Sequence, residues 1–250
     1  MIDGVKTPSE EGSVQGSPLS PLLSNVVLDE LDKELEKRNL EFCRFADDCN
    51  IFARTQRGAE RIMESIKKFI EKKLKLKVNE EKSKTRKSNE VKFLGMTIIE
   101  GTIAIAKATY NKAMEKVKSL IPRGSHLPIE KAMKEVNTWY RGWASYFKMT
   151  QYPFQLQLIE AHIRRRFRAR IVYQQKKKRN LLALLLKRGI KKKSAAKTVY
   201  SNRGIWNLSH TPALDKAYSI EWFVKQAGQI IISNTLMKHW FEIKKRVRLT

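Results

Sequence analysis

Apolar positions change their period several times along the first hundred residues. Leu23, Val27, Leu31 and Leu35 recur every fourth position with Leu28 between them, which predicts a helix over about 20–38. Two short aromatic and β-branched runs follow, Glu41–Phe45 and Asn50–Ala53. They flank Ala46-Asp47-Asp48 and predict a β-hairpin with the acidic pair at its turn. Ala59, Ile62, Met63, Ile66, Phe69, Ile70 and Leu74 return to the helical period. Lys77-Val78 then suggests a short strand, and Val91–Ile99 with Thr102–Ala106 a second hairpin about Glu100-Gly101. Helix, hairpin, helix, strand, hairpin is the order of an α+β layer with an antiparallel sheet.

From residue 107 onward only helical periods remain. Ala108–Ile121 reads as a helix stopped by Pro122 and Gly124, and Pro128 stands at the first turn of the next. There Val136, Trp139, Tyr140, Trp143 and Phe147 form an aromatic stripe at the spacing of a buried face, so it reads as core before it reads as a base-stacking platform. Ile159, Ile163, Phe167 and Ile171 make the core line of a third helix, whose other faces carry Arg164, Arg165, Arg166, Arg168 and Arg170. Lys176–Arg179 and Lys187–Lys193 bracket a leucine-rich segment. Ser201–Pro212 is loop-rich around Gly204 and Trp206, and about 213–246 reads as helical again.

Charge divides the chain at the same place. The 250 residues carry 51 Lys+Arg against 25 Asp+Glu, a net of +26. Positions 1–106 hold 19 cations and 18 acids, a net of +1, whereas 107–250 hold 32 and 7, a net of +25. The second part reads as a polyanion-binding unit attached to a near-neutral one. Nucleic acid fits it better than a membrane surface, because arginines and aromatics interleave and no lipid-inserting helix stands at a terminus. The longest apolar run, Leu181–Leu186, is far short of a membrane span, and Met1-Ile2-Asp3-Gly4 opens neither a signal nor a transit peptide. Cys43 and Cys49 are too few for a disulfide framework or a zinc quartet. A cytoplasmic protein that contacts no membrane is the expectation.

Phe45-Ala46-Asp47-Asp48 is the sharpest local feature. Two-ion phosphoryl transfer needs carboxylates that fix two divalent cations ~3.5–4 Å apart, and Mg²⁺ takes oxygen ligands. Asp-Asp is also ordinary turn chemistry, so these residues alone leave both readings open. About thirty positions upstream stands Gln15-Gly16-Ser17-Pro18-Leu19-Ser20-Pro21-Leu22-Leu23-Ser24-Asn25. Gly16 permits close backbone approach, and Pro18 and Pro21 stiffen the entry to a helix. Downstream come Asn79-Glu80-Glu81-Lys82 and Phe93-Leu94-Gly95. In this order the set resembles the later motifs of a reverse-transcriptase palm, in particular that of the group II intron-encoded reverse transcriptase/maturase family. Tyr140-Arg141-Gly142-Trp143-Ala144-Ser145-Tyr146-Phe147 resembles that family's thumb, or maturase domain, and Gly204-Ile205-Trp206-Asn207-Leu208-Ser209 a later motif of it. The resemblance runs over essentially the whole chain.

The resemblance implies an α+β fold: a partial palm over 1–106, with an antiparallel sheet and helices, then an all-α basic thumb/maturase domain over 107–250. It implies Asp47 as a catalytic metal-binding carboxylate, with Asp48 its less directly coordinating partner. Gln15, Gly16, Ser17 and Pro18, with Asn79 and Lys82, would contact nucleotide and template, although Lys82 reads equally as a surface lysine. Phe93, Leu94 and Gly95 would form the primer grip, the first two being equally readable as core. Arg141 and the cluster Arg164, Arg165, Arg166, Arg168 and Arg170 would meet RNA, since guanidinium forks suit phosphate oxygens. The implied activity is Mg²⁺-dependent, RNA-templated DNA synthesis coupled to binding of intron RNA and assistance to splicing and mobility. Intron RNA, an RNA/DNA primer-template and deoxynucleoside triphosphates are the partners.

Several positions depart from the family's pattern. Phe45 stands where Tyr is usual and Val14 where Pro is usual. The family's further catalytic aspartate belongs on a strand well before the hairpin, yet the only aspartate before Gln15 is Asp3, and nothing around it reads as a strand. The expectation is a chain without fingers and first palm half, with an incomplete two-metal site, inactive as a polymerase unless a complementing N-terminal fragment supplies the rest. A non-catalytic RNA-binding maturase remnant and a nonfunctional gene fragment are the alternatives.

Overall fold

The computed structural model describes residues 18–233. In chain order the elements are α1 (Leu19–Lys37), β1 (Phe42–Phe45), β2 (Asp48–Ile51), α2 (Gln56–Lys72), β3 (Met96–Ile99), β4 (Thr102–Ile105), α3 (Lys107–Leu120), α4 (Ile129–Tyr146), α5 (Phe154–Gln174), α6 (Lys178–Lys187), α7 (Lys192–Val199), α8 (Ile205–Leu208), α9 (Pro212–Ala217) and α10 (Ile220–Lys225). The chain forms two compact units that divide between Glu90 and Val91. The hairpin β3–β4, which the residue pattern groups with the first part, thus belongs by its contacts to the second unit. No helix among the described residues is long and apolar enough to cross a membrane.

In the first unit, α1 and α2 bury Leu31, Leu35 and Ile66 against Leu28, Phe42, Ile51, Ile62 and Phe69. Burial of this kind supplies roughly 1.5–3 kcal/mol per large side chain. Leu23 and Val27 continue the same stripe of α1 but stay exposed. Thr55 caps α2: its Oγ1 accepts from the Gly58 N–H at 3.1 Å, leaving one orphan donor fewer at the helix start. β1 and β2 pair antiparallel in the register Phe42↔Ile51 to Phe45↔Asp48, so Ala46 and Asp47 alone form the loop. Lys77-Val78 is irregular, not a strand; a run of two residues is too short to set a strand by itself. The expected palm sheet is likewise two separate two-stranded hairpins among these residues.

The second unit is built around α5. Ile159, Ile163, Phe167 and Ile171 are buried as their spacing predicts, packed among Val117, Val136, Tyr140, Leu185 and Phe223. The aromatic stripe of α4 joins this core: Trp143 lies 4.6 Å from Phe147 between ring centroids and 6.0 Å from Trp139. β3 and β4 turn at Glu100 and Gly101, both in the left-handed region at φ 48° and 73°. Two glutamines close the outer edge of β4 as a third strand would. The Ile103 N–H donates to Gln151 Oε1 at 3.0 Å and the Ile105 N–H to Gln155 Oε1 at 2.9 Å, while Gln155 Nε2 donates back to the Ile105 carbonyl at 2.8 Å.

The helix expected over 213–246 is instead the two short helices α9 and α10 followed by an irregular run to Ile232, with 234–246 outside the described residues. Gly228 at φ 72° turns that run away from helical geometry. Asn137 Nδ2 donates to the Gly228 carbonyl at 2.7 Å, and the Ile230 N–H donates to Asn137 Oδ1 at 3.1 Å. Glu160 holds the rest. Its Oε1 accepts from Tyr140 Oη at 2.8 Å, from the Ile232 N–H at 2.9 Å and from the Ser233 N–H at 3.0 Å, and its Oε2 accepts from Ser233 Oγ at 2.6 Å. Burial and this carboxylate push the Tyr140 phenol well above its ordinary range, so the hydroxyl remains a donor.

Candidate palm motif and nucleic-acid interface

Strand alternation decides how the acidic pair is presented. Phe42 and Arg44 face inward, whereas Cys43 and Phe45 face outward. Asp48, the cross-strand partner of Phe45, shares the outward face, and Asp47 occupies the loop, so both carboxylates are exposed. Phe45 is itself 60% exposed beside them. The loop is held from below by Arg44. Its Nε and Nη2 grip the Asp32 carboxylate of α1 at 2.7 and 2.5 Å, while Nη1 donates to Asn25 Oδ1 and to the Ala46 carbonyl, each at 2.9 Å. That fork raises the Arg44 pKa further, chiefly through the hydrogen bond to Asp32, and fixes Ala46 in its left-handed conformation at φ 54°. Burial pushes the neighbouring Cys49 thiol up to about 11, which keeps it a protonated, inert core group.

Asp47 and Asp48 can offer oxygen ligands to a divalent cation from an open, preformed tip. A pair of ions needs more carboxylate than that. Asp32 is engaged by Arg44, and no group of three or more His, Cys, Asp or Glu among the described residues could hold a metal. The residues described thus do not assemble the two-ion site.

Among the expected nucleotide contacts, Gln15, Gly16 and Ser17 lie outside the described residues, as does Asp3, and Pro18 is the exposed N-cap residue of α1. Asn79 is spent on its own turn: its Oδ1 accepts from the Lys82 N–H at 3.2 Å, which leaves the Lys82 side chain exposed beyond it.

Phe93-Leu94-Gly95 forms a tight turn at the head of β3. The Phe93 N–H donates to the Met96 carbonyl at 2.9 Å and the Met96 N–H to the Phe93 carbonyl at 2.8 Å, with Leu94 and Gly95 at φ 51° and 81°. Tyr146 Oη donates to the Leu94 carbonyl at 3.2 Å, which ties the turn to the end of α4. A Cβ at position 95 would sit 3.0 Å from the Phe147 ring. Gly95→Ala is accordingly expected to cost roughly 2–4 kcal/mol, from left-handed strain plus overpacking, in a chemical-denaturation measurement. A loss under about 0.5 kcal/mol would show that the turn relaxes freely.

The arginines of α5 are placed differently from a phosphate-facing fringe. Arg164, Arg166, Arg168 and Arg170 are buried, and Arg165 is half-buried. Arg166 and Arg168 reach the carbonyl-rich ends of neighbouring helices. Arg166 Nη2 donates to the Lys118 and Ile121 carbonyls at 3.2 and 3.0 Å, where α3 ends. Arg168 donates through Nε and Nη2 to the Tyr218 carbonyl at 3.0 and 2.8 Å, where α9 ends, and pairs with Asp215. Arg165 Nη2 donates to the Trp206 carbonyl at 3.2 Å, and Arg170 donates to the Leu127 carbonyl. Such donors satisfy orphan carbonyls and complement the negative helix ends. Burial holds the pKa values of Arg164, Arg166, Arg168 and Arg170 below the ordinary arginine value. Arg141, by contrast, is exposed on α4, in a shallow groove with Lys134, Thr138, Gly142 and Ser145.

The exposed cations sit elsewhere, on α6, α7 and their flanks. From Ala161 to Leu214 the chain has sixteen Lys+Arg and no Asp or Glu. Eleven of these are solvent-exposed, among them Lys177, Lys178 and Arg179 at the start of α6 and Lys191, Lys192 and Lys193 at the start of α7. Neither helix start has a side-chain cap, so the free backbone N–H groups and the cations present positive charge together. The basic runs are visible in the sequence; their position at helix N-termini needs the helix boundaries.

The chain thus sets a hairpin with an exposed acidic tip ahead of a basic helical unit. Residues 3–98 match the reverse transcriptase (RNA-dependent DNA polymerase) family and residues 110–193 match the group II intron maturase-specific domain. The chain belongs to the group II intron reverse transcriptase/maturase family: a reverse-transcriptase region followed by a maturase-specific domain. That membership implies metal-dependent polymerase chemistry for the family and nucleic-acid binding. The chain matches no curated protein.

Proposed function

We propose that this chain acts as a maturase that holds its intron RNA through residues 107–250 and assists splicing and mobility. The acid-free stretch from Ala161 to Leu214 carries the reading: eleven exposed cations without one carboxylate among them to neutralise the surface. Such a surface attracts a polyanion and releases its condensed counterions on binding. The buried Arg168 and Arg170 of α5 serve this role indirectly, by bonding to the segments that frame the helices displaying the cations. Arg141 and its groove extend the surface on α4.

Filter binding with the intron RNA tests it. Between ~50 and ~200 mM salt the affinity is expected to fall by a factor on the order of 10³, the loss for six or more phosphate contacts. Binding that ignores salt, or no binding at 50 mM, overturns the reading. RNA-templated DNA synthesis would rest on Asp47 and Asp48 with Mg²⁺, a primer-template, deoxynucleoside triphosphates and a further carboxylate. Primer-extension product that disappears in Asp47→Asn would add that activity to the RNA-binding role.

A further inference from the structure

Three arginines converge on one indole in the second unit. Arg165 lies over the Trp206 ring with its guanidinium carbon 4.1 Å from the centroid, and Arg166 and Arg123 approach to 5.8 and 5.9 Å. His162 meets the same ring edge-on at 5.7 Å. These groups come from α5, from α8 and from the loop after α3, so the tertiary fold gathers them.

The ring quadrupole draws each cation in, but the three cations repel one another. Among the described residues no carboxylate stands within ion-pair distance of Arg123, Arg165 or Arg166. Glu115, whose charge acts on Arg166 and His162, pairs with Lys118, and Asp215 pairs with Arg168. The Nε groups of Arg165 and Arg166 are buried without an acceptor, although each side chain is anchored through Nη2 to backbone carbonyls. His162 adds no compensating charge. Burial first, then Arg166 and Arg165, hold it below the ordinary imidazole value.

A cluster of fixed cations with no counter-charge beside it is completed by an anion. We propose that Arg123, Arg165 and Arg166, ordered around Trp206, form a socket for one backbone phosphate of the bound RNA. The proposal rests on the RNA-binding reading above and assigns a specific contact within it. Arg165 and Arg166 are held in place, and Arg123, exposed between Pro122 and Gly124, is the arm that closes on the phosphate. Because the contact is made to phosphate oxygens, it carries no base preference. An RNA phosphate fits better than a free anion because Arg165, Arg166 and Trp206 lie inside the acid-free stretch that attracts the polymer.

The test uses the intact chain, two fluorescein-labelled structured RNA hairpins of unrelated sequence, and anisotropy between ~50 and ~200 mM KCl. Arg123→Gln, an exposed loop change, is expected to keep the thermal midpoint. It should weaken both RNAs by the same factor, roughly tenfold, and lower the slope of log K against log salt by about 1. Arg123→Lys, which keeps the charge, should restore the slope. An unchanged slope in Arg123→Gln while the wild type binds RNA overturns the socket and leaves the RNA-binding reading standing. A loss that differs strongly between the two RNAs also overturns it, since that is base readout. If the wild type binds neither RNA, both readings fall together.

Discussion

Glutamine at Lys177, Lys178, Arg179, Lys191, Lys192 and Lys193 together is expected to lower RNA affinity by about three orders of magnitude near 100 mM salt. It should also flatten the slope of log K against log salt by about five, the counterion-release value for six phosphate contacts. Each of these residues is exposed at the start of α6 or α7. That placement is unfavourable for the helices themselves: a cation at a helix N-terminus opposes the macrodipole by ~0.3–1 kcal/mol. A purely structural surface would place acids there. The variant should therefore fold at least as well as the parent, by circular dichroism and thermal midpoint, while it loses RNA. Equal loss of helicity and binding would point to a structural role, and retained binding would move the interface away from α6 and α7.

Glu160→Ala is the second large effect. The substitution removes the acceptor of four hydrogen bonds and orphans Tyr140 Oη, two backbone N–H groups and Ser233 Oγ in a dry site. It also removes the negative charge that raises the pKa of Arg164 against its burial, and the Arg164 Nη1 is already buried without a partner. Leaving a buried charge and several donors unmatched typically costs 3–5 kcal/mol, so the midpoint should drop on the order of 10 °C. Limited proteolysis should then cut near Gly228–Ser233, which Asn137, Glu160 and the Phe223 carbonyl tether by hydrogen bonds. Glu160→Gln keeps an acceptor for the backbone N–H groups and should lose less than half as much. A midpoint within 2 °C of the parent for Glu160→Ala would show that water replaces the carboxylate.

Much of the architecture is legible in residue order because local physics decides it. The period-four stripe of α1 and the Glu100-Gly101 turn each act within a few residues, and the helix of Trp139–Phe147 buries the face its spacing selects. Lys77-Val78 misleads for the opposite reason, since two residues are too short a run to set a strand locally. The described part of the 213–246 segment misleads too, after α10. Its apolar content reads as helix, but Asn137 and Glu160 capture the backbone around Gly228 in an irregular run.

The arginines of α5 mark where sequence reasoning stops. A charged residue on a helix reads as solvent-facing, because burying charge without partners is costly. Arg166 and Arg168 are buried because the ends of α3 and α9 bring unpaired carbonyls to them, and no local pattern announces that meeting. Charge composition, motif order and helical period are properties of the chain and were sufficient for the family, the polyanionic partner and the acidic hairpin tip. Which cations face solvent, which close helix ends, and that Arg123 shares an indole with residues some forty positions away depend on long-range packing. Only the folded molecule brings those groups within a few ångströms, where hydrogen bonds and charge act.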